Sequence, residues 1–206
     1  MKFTAKLKES TKQVDAIITK EMDKALRSAI SRARPKIIIQ IKELFREAIE
    51  SSPEYESLMS GKLREEFGIE DAGRKLAEIM KIWLNNIDTE YNKNNSILTI
   101  NICLSNFQDV LGLDAATVTT EKGGDLHWLE WLLLEGDKTV VKDFHIAYKP
   151  QNSRTDSYIM VEGGSWRVPP EFSGSMDDNF VTRALEAISD ETVANIVRTQ
   201  LTAAYR

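Results

Sequence analysis

Apolar residues recur at three- and four-residue spacing from about Ser10 to Glu50. They are Val14, Ile17, Ile18, Met22, Ala25, Leu26, Ala29, Ile30, Ala33, Ile37, Ile38, Ile41, Leu44, Phe45, Ala48 and Ile49. This spacing predicts one long amphipathic helix, with Ser10 or Thr11 at its cap. Pro35 sits in the middle, where it removes one backbone bond, so the sequence predicts a kink or two helices meeting there. The stripe keeps its register across the proline, which favours a kink. At ~1.5 Å per residue such a helix would span about 60 Å. A compact domain of this length measures only about 35–45 Å across. Part of the helix should therefore overhang or fold back, and an overhanging apolar stripe needs a partner to cover it.

Ser52 followed by Pro53 marks a new helix start, and residues 53–67 carry Tyr55, Leu58, Met59, Leu63 and Phe67 at helical spacing. A further helix is expected from Asp71 to Asn86, with Leu76, Ile79, Met80, Trp83 and Leu84 on one face. The period then shortens. Ile87–Tyr91 and Ile97–Leu104 flank the turn residues 92–95 and read as paired strands. Asp125 is placed to cap a short helix, Leu126 to Glu135, ended by Gly136. Its residues Trp128, Leu129, Trp131, Leu132, Leu133 and Leu134 make it apolar nearly all round, so it is expected in a core or an interface. Strands follow at 139–149 and 157–162.

Residues 158–188 join a strand to a helix. Gly163-Gly164 is expected to break the strand. Trp166, Pro169, Pro170 and Phe172 form an apolar elbow, and Ser175 or Asp177 is expected to cap a helix bearing Phe180, Val181, Ala184, Leu185 and Ile188. A tail helix from about Glu191 to Tyr205 completes the chain, capped by Ser189 or Asp190. The expected fold is α+β: a long N-terminal helix and further helices packed on a roughly four-stranded, mostly antiparallel sheet. The expected organisation is a helical arm, residues 1–50, and an α+β body, residues 51–206, that includes the C-terminal helices.

Charge sharpens this division. Residues 1–50 hold 12 Lys+Arg against 7 Asp+Glu, a net +5, and the remainder holds 15 against 25, a net −10. A basic arm on an acidic body points to an acidic neighbour for the arm, such as another copy of the chain. Arg27, Arg32, Arg34 and Lys36 cluster near Pro35. A nucleic-acid arm is the competing reading, although acids are mixed among the bases and aromatics are scarce. No apolar run reaches the ~20 residues of a membrane helix. The N-terminus lacks the apolar core of a secretory signal. The single cysteine, Cys103, excludes an intrachain disulfide and is expected to be a buried, inert thiol.

The polar residues carry no recognisable catalytic pattern. His127 and His145 are the only histidines, and neither belongs to an HxxxH or HExxH spacing. Asp125, Glu130 and Glu135 beside Trp128 and Trp131 could resemble a glycosidase pair, but the tryptophans lie in an apolar helix, where packing explains them. Gly123-Gly124 and Gly163-Gly164 lack the context of a phosphate loop and suit turns or bulges. Ser105, Ser165 and Ser173 lack the nucleophile elbow. No metal, cofactor or catalytic set is expected.

Four segments resemble neck and tail-completion proteins of tailed bacteriophages. They are SSPEYESLMSGKLREEFGIED (51–71), TEKGGDLHWLEWLLLEGD (120–137), the strand pair DFHIAYKP and SRTDSYIMVEGG (143–164), and WRVPPEFSGSMDDNFVTRALE (166–186). The last two are the most specific, and none is a catalytic signature. Residues 154–157 depart from the glycine-rich hairpin of similar proteins. The resemblance implies a structural virion protein, made in the host cytoplasm, that forms a ring at the neck or tail. The ring would be sixfold by preference, or twelvefold. Its partners would be copies of itself, the portal or adaptor, and tail-tube or terminator proteins. DNA would pass through the lumen without sequence-specific binding, and no membrane is involved. A tail terminator or head-side stopper is the near alternative. A soluble hydrolase using His127 or His145 with Glu130, or a nucleic-acid-binding module, is the distant one. The candidate assembly contacts are Arg27, Arg32, Arg34, Ile37, Ile41, Trp128 and Trp131.

Overall fold

The computed structural model describes residues 11–92, 97–102, 107–119, 124–136, 138–147 and 159–205. The fold is α+β, with a long N-terminal helix and antiparallel strands. Helix α1, Thr11–Glu50, is a single helix with Pro35 inside it. Pro35 lies on an exposed face, so its lost hydrogen bond falls where water can reach the freed carbonyl.

Two compact units divide the chain: Met1–Ile41 with Asp190–Arg206, and Lys42–Ser189. The division falls inside α1, and the tail helix groups with the arm. In the first unit Ala29, Ile30, Ala33, Ile37 and Ile41 of α1 are buried. The tail helix, Asp190–Tyr205, carries Val193, Ile196, Val197 and Leu201 half-buried along its stripe. Gln200 donates to Gln40 across the pair at 3.1 Å.

The second unit opens with α2, Pro53–Ser60, where Ser52 Oγ accepts the Tyr55 N–H at 3.2 Å and Pro53 takes the first turn, as expected. The single helix expected over 53–67 is divided at Gly61, and α3 is Lys62–Phe67. A Cβ on Gly61 would lie 2.8 Å from Ser57 Cα, and Ser57 Oγ instead accepts the Leu63 N–H at 3.0 Å. Helix α4, Ala72–Asn85, buries Leu76, Ile79, Met80, Trp83 and Leu84, the predicted face.

The described strands form three two-stranded antiparallel ladders. Strands β1, Ile87–Asn92, and β2, Ile97–Ile102, pair from Ile87↔Ile102 to Asn92↔Ile97. Short helix α5, Gln108–Leu111, and one 3-10 turn, Asp114–Ala116, precede the brief ladder β3, Val118–Thr119, with β4, Asp125–Leu126. Helix α6 is Trp128–Leu133, so Asp125 lies in β4 rather than at the helix cap. Strands β5, Thr139–Ala147, and β6, Ile159–Arg167, form the longest ladder. Among the described residues, the four strands expected to share one sheet thus pair as two separate antiparallel ladders. Gly163 and Gly164 do not end β6. Their φ values of 101° and 84° are absorbed where the register shifts between Lys142 and Phe144, so the glycine pair is a bulge. The strand continues to Trp166, opposite Val141.

Helix α7, Phe180–Glu186, is capped by Asn179 rather than by Ser175 or Asp177. Asn179 Oδ1 accepts the N–H groups of Val181 and Thr182 at 3.1 Å each, and Thr182 Oγ1 accepts the Asn179 N–H at 2.8 Å. This reciprocal box satisfies donors that a helix start leaves open. Farther along α7, Arg183 bonds Glu54 of α2 at 2.5 Å and Asp178 at 2.7 Å. Burial disfavours the Arg183 charge, but the two carboxylates outweigh it and hold the guanidinium protonated. The Glu54 side chain is 4% exposed and that of Arg183 37%. Arg183→Ala should therefore cost about 2–3 kcal/mol in urea unfolding, short of the ~3–5 kcal/mol of a fully buried pair. Adding Glu54→Gln should recover part of the loss, and a single variant as stable as wild type would show that Glu54 finds water instead.

Candidate interaction surfaces

Two places in the described structure leave apolar or polar groups open. The first is the outer part of α1. Ile17, Ile18 and Met22 are 55%, 50% and 64% exposed. At about 100° per residue, Val14, Ile18, Met22 and Ala25 share an arc of roughly 100° with Ala29 and Ala33. Ala29 and Ala33 are buried, so one stripe begins open and becomes covered. The tail helix has 16 residues and spans ~24 Å, against ~46 Å for residues 11–41, so it cannot cover the whole stripe. Basic residues accompany the stripe. Arg32 and Lys36 are exposed and continue its arc, whereas Lys20, Lys24 and Arg27 lie on the opposite face around a shallow hollow with Asp23.

The second is a pocket of about 430 Å³ in the second unit, where α3 meets the β5–β6 hairpin and the segment after it. Trp166, Pro169, Pro170 and Ile146 provide apolar walls, and Lys62, Glu66, His145, Ser165, Arg167 and Glu171 provide polar groups. Glu66 is the unusual member. Its side chain is only 4% exposed, and its Oε1 lies 3.6 Å from Lys62 Nζ, one helical turn away. Its Oε2 is buried without a hydrogen-bond partner. Burial raises the Glu66 pKa above the usual carboxylate range, against the opposing pull of Lys62 and of the nearby Trp166 side chain, while Glu171 adds a further upward push. His145 is exposed, and its Nδ1–H donates to the Gly163 carbonyl at 2.7 Å. That bond ties the ring to the glycine bulge rather than to a carboxylate.

The expected assembly contacts divide sharply. Arg27, Arg32 and Arg34 are exposed on α1, and Arg34 already has a partner. Ile37 and Ile41 are 0% and 3% exposed, so their apolar surface is used within the chain. Trp128 is fully buried, and its indole N–H donates to the Ala115 carbonyl at 3.1 Å. Only Trp131, half-buried, keeps part of its surface open. The contacts available in their place are Ile17, Ile18 and Met22. The same periodicity contained them, but nothing local marks which end of a stripe the chain covers itself. Glu66 was also missed. Its signal was a carboxylate placed beside the core positions Leu63 and Phe67.

His127 is exposed at the start of α6, and Glu130 is half-buried. Among the described residues, no three of His, Cys, Asp and Glu gather in a way that could hold a metal ion. None of the described helices is long and apolar enough to cross a membrane. Cys103, Ser105, Gly123 and residues 154–157 lie outside the described residues. No protein-family model, curated protein or solved structure matches the chain.

Proposed function

We propose that this chain is a structural protein of a tailed-bacteriophage particle. Copies of it form a ring at the neck, through which DNA passes, in the role of tail completion. The observation that carries the reading is the open stripe Ile18, Met22 and Ala25, continuous with the half-buried Val14 and the buried Ala29 and Ala33. A stripe that the described residues leave open is one that a neighbouring subunit can cover. The charge split supports an arm-to-body contact, a head-to-tail arrangement that can close into a ring. The resemblance of residues 51–71, 120–137, 143–164 and 166–186 to neck proteins supplies the biological setting. The role is geometric, and no residue is assigned to catalysis.

The test uses the full chain, alone and with portal and tail proteins, examined by native mass spectrometry and electron microscopy. Closed rings are expected. Ile18→Lys with Met22→Lys should abolish them while leaving the unfolding free energy in urea within ~0.5 kcal/mol of wild type, because both side chains are already exposed. A chain that stays monomeric with every partner, or a double variant that assembles like wild type, sinks the reading.

A further inference from the structure

We infer that Glu66 is a proton-operated latch between α3 and the end of the β5–β6 hairpin: with its proton the side chain stays sealed at the Trp166 contact, and without it the side chain turns to water and loosens that contact. The Glu66 side chain is 4% exposed, and its Oε2 is buried with no hydrogen-bond partner. The pocket beside it is closed to that oxygen, so nothing standing in the pocket can hydrate Oε2 unless Glu66 or a pocket wall shifts. A neutral carboxyl tolerates such a position far better than an ionised one, which needs donors on both oxygens.

The charged neighbours do not reverse this preference. From α3 itself, Lys62 Nζ lies 3.6 Å from Oε1, and its side chain is 41% exposed, so water screens it. Glu171, in the segment after β6, opposes ionisation. His145 of β5 and Arg167 of β6 also line the pocket, and Arg167 has a partner of its own. The balance leaves the carboxyl above its usual range, with burial as the largest cause.

The consequence follows from what surrounds Glu66. Leu63 and Phe67, on either side of it in α3, are buried, and Phe67 meets Trp166 edge-on. Trp166 sits near the end of β6, opposite Val141. Hydrating Glu66 therefore disturbs the contact that holds the hairpin to α3. Because the protonated form fits the fold, the latch is fully closed below the ordinary glutamate range. Its contribution is lost as pH rises through the higher value of the folded chain.

Amide hydrogen exchange of the full chain, followed from about pH 4 to about pH 8 and expressed as protection relative to the unstructured rate, tests the latch. Protection of residues 63–67 and 165–167 should fall at least about fivefold across that window, while residues 76–84 of α4 keep theirs. In Glu66→Gln, which keeps the shape without the charge, protection should stay level. In Lys62→Met the fall should move to higher pH, because the cation that favours the ionised form is gone. In His145→Gln it should stay where wild type has it. The Lys62→Met shift carries the test if Glu66→Gln does not fold. Level protection in wild type, an equal fall in Glu66→Gln, an unmoved fall in Lys62→Met, or its loss in His145→Gln overturns the latch.

Discussion

Gly174→Ala should destabilise the chain by about 3 kcal/mol or more, the upper end of what over-packing costs. The added Cβ would lie 2.0 Å from the Leu132 carbonyl oxygen, 3.0 Å from the Leu132 carbonyl carbon and 2.7 Å from Asn179 Cβ. None of these can retreat cheaply. Leu132 and Leu133 of α6 are fully buried, so shifting that carbonyl moves core side chains. The Gly174 carbonyl accepts the Gly136 N–H at 2.8 Å, which holds the loop against the end of α6. On the other side, Asn179 is fully buried, and its Nδ2 donates to the Ser175 carbonyl at 2.8 Å. The loop is clamped from both sides, and only a residue without Cβ fits between. Gly112→Ala is the matched control. A Cβ there meets only the Gln108 carbonyl, at 3.7 Å, with φ at −81°. Its unfolding free energy in urea should match or slightly exceed wild type, by up to ~1 kcal/mol. If Gly174→Ala unfolds at the same urea concentration as the control, the close approach is not part of the folded chain.

That contact also shows where sequence reading ends. The face of α4, the proline cap at Ser52 and the hairpin of β1 with β2 were all legible, because each depends on residues a few positions apart. Pro35 was legible too, because the stripe that stays in register on both sides favoured one helix over two, and α1 runs through it. The break at Gly61 was hidden because residues 53–67 keep helical spacing through it, and the cause is a hydroxyl on Ser57. The capping choice among Ser175, Asp177 and Asn179 depended on where the elbow delivers the chain, which is set by Gly174 against Leu132, some forty residues earlier. The Glu54–Arg183 pair joins residues 129 positions apart, and no periodicity encodes it. The same holds for the candidate surfaces. The arm's stripe was visible in full, but nothing local marks which part of it stays open.

Trp166→Ala should cost about 3–5 kcal/mol. Trp166 is carried into the β5–β6 ladder by the strand that continues past the glycine bulge, and it is 7% exposed there. Its ring meets Phe67 edge-on, with centroids 5.2 Å apart and planes at 89°, the geometry in which aromatic quadrupoles attract. Phe67 in turn lies 6.4 Å from Trp128. The three rings link the hairpin to α3 and α3 to α6, so truncating Trp166 opens a void at a junction of three elements. Trp166→Phe divides the effect. It keeps a ring against Phe67 but removes the indole N–H near Glu66, and should cost about 1–2 kcal/mol. The same change should push the Glu66 carboxyl still further above its usual range, since the Trp166 side chain is one of the contributions holding it down. Urea unfolding gives the stability of both variants, and carboxylate titration by NMR gives the Glu66 shift. A Trp166→Ala chain within ~1 kcal/mol of wild type would mean that the hairpin is held to α3 without this ring. An unmoved Glu66 in Trp166→Phe would mean that the indole does not reach the carboxylate, and the pocket would then lose its best-defined wall.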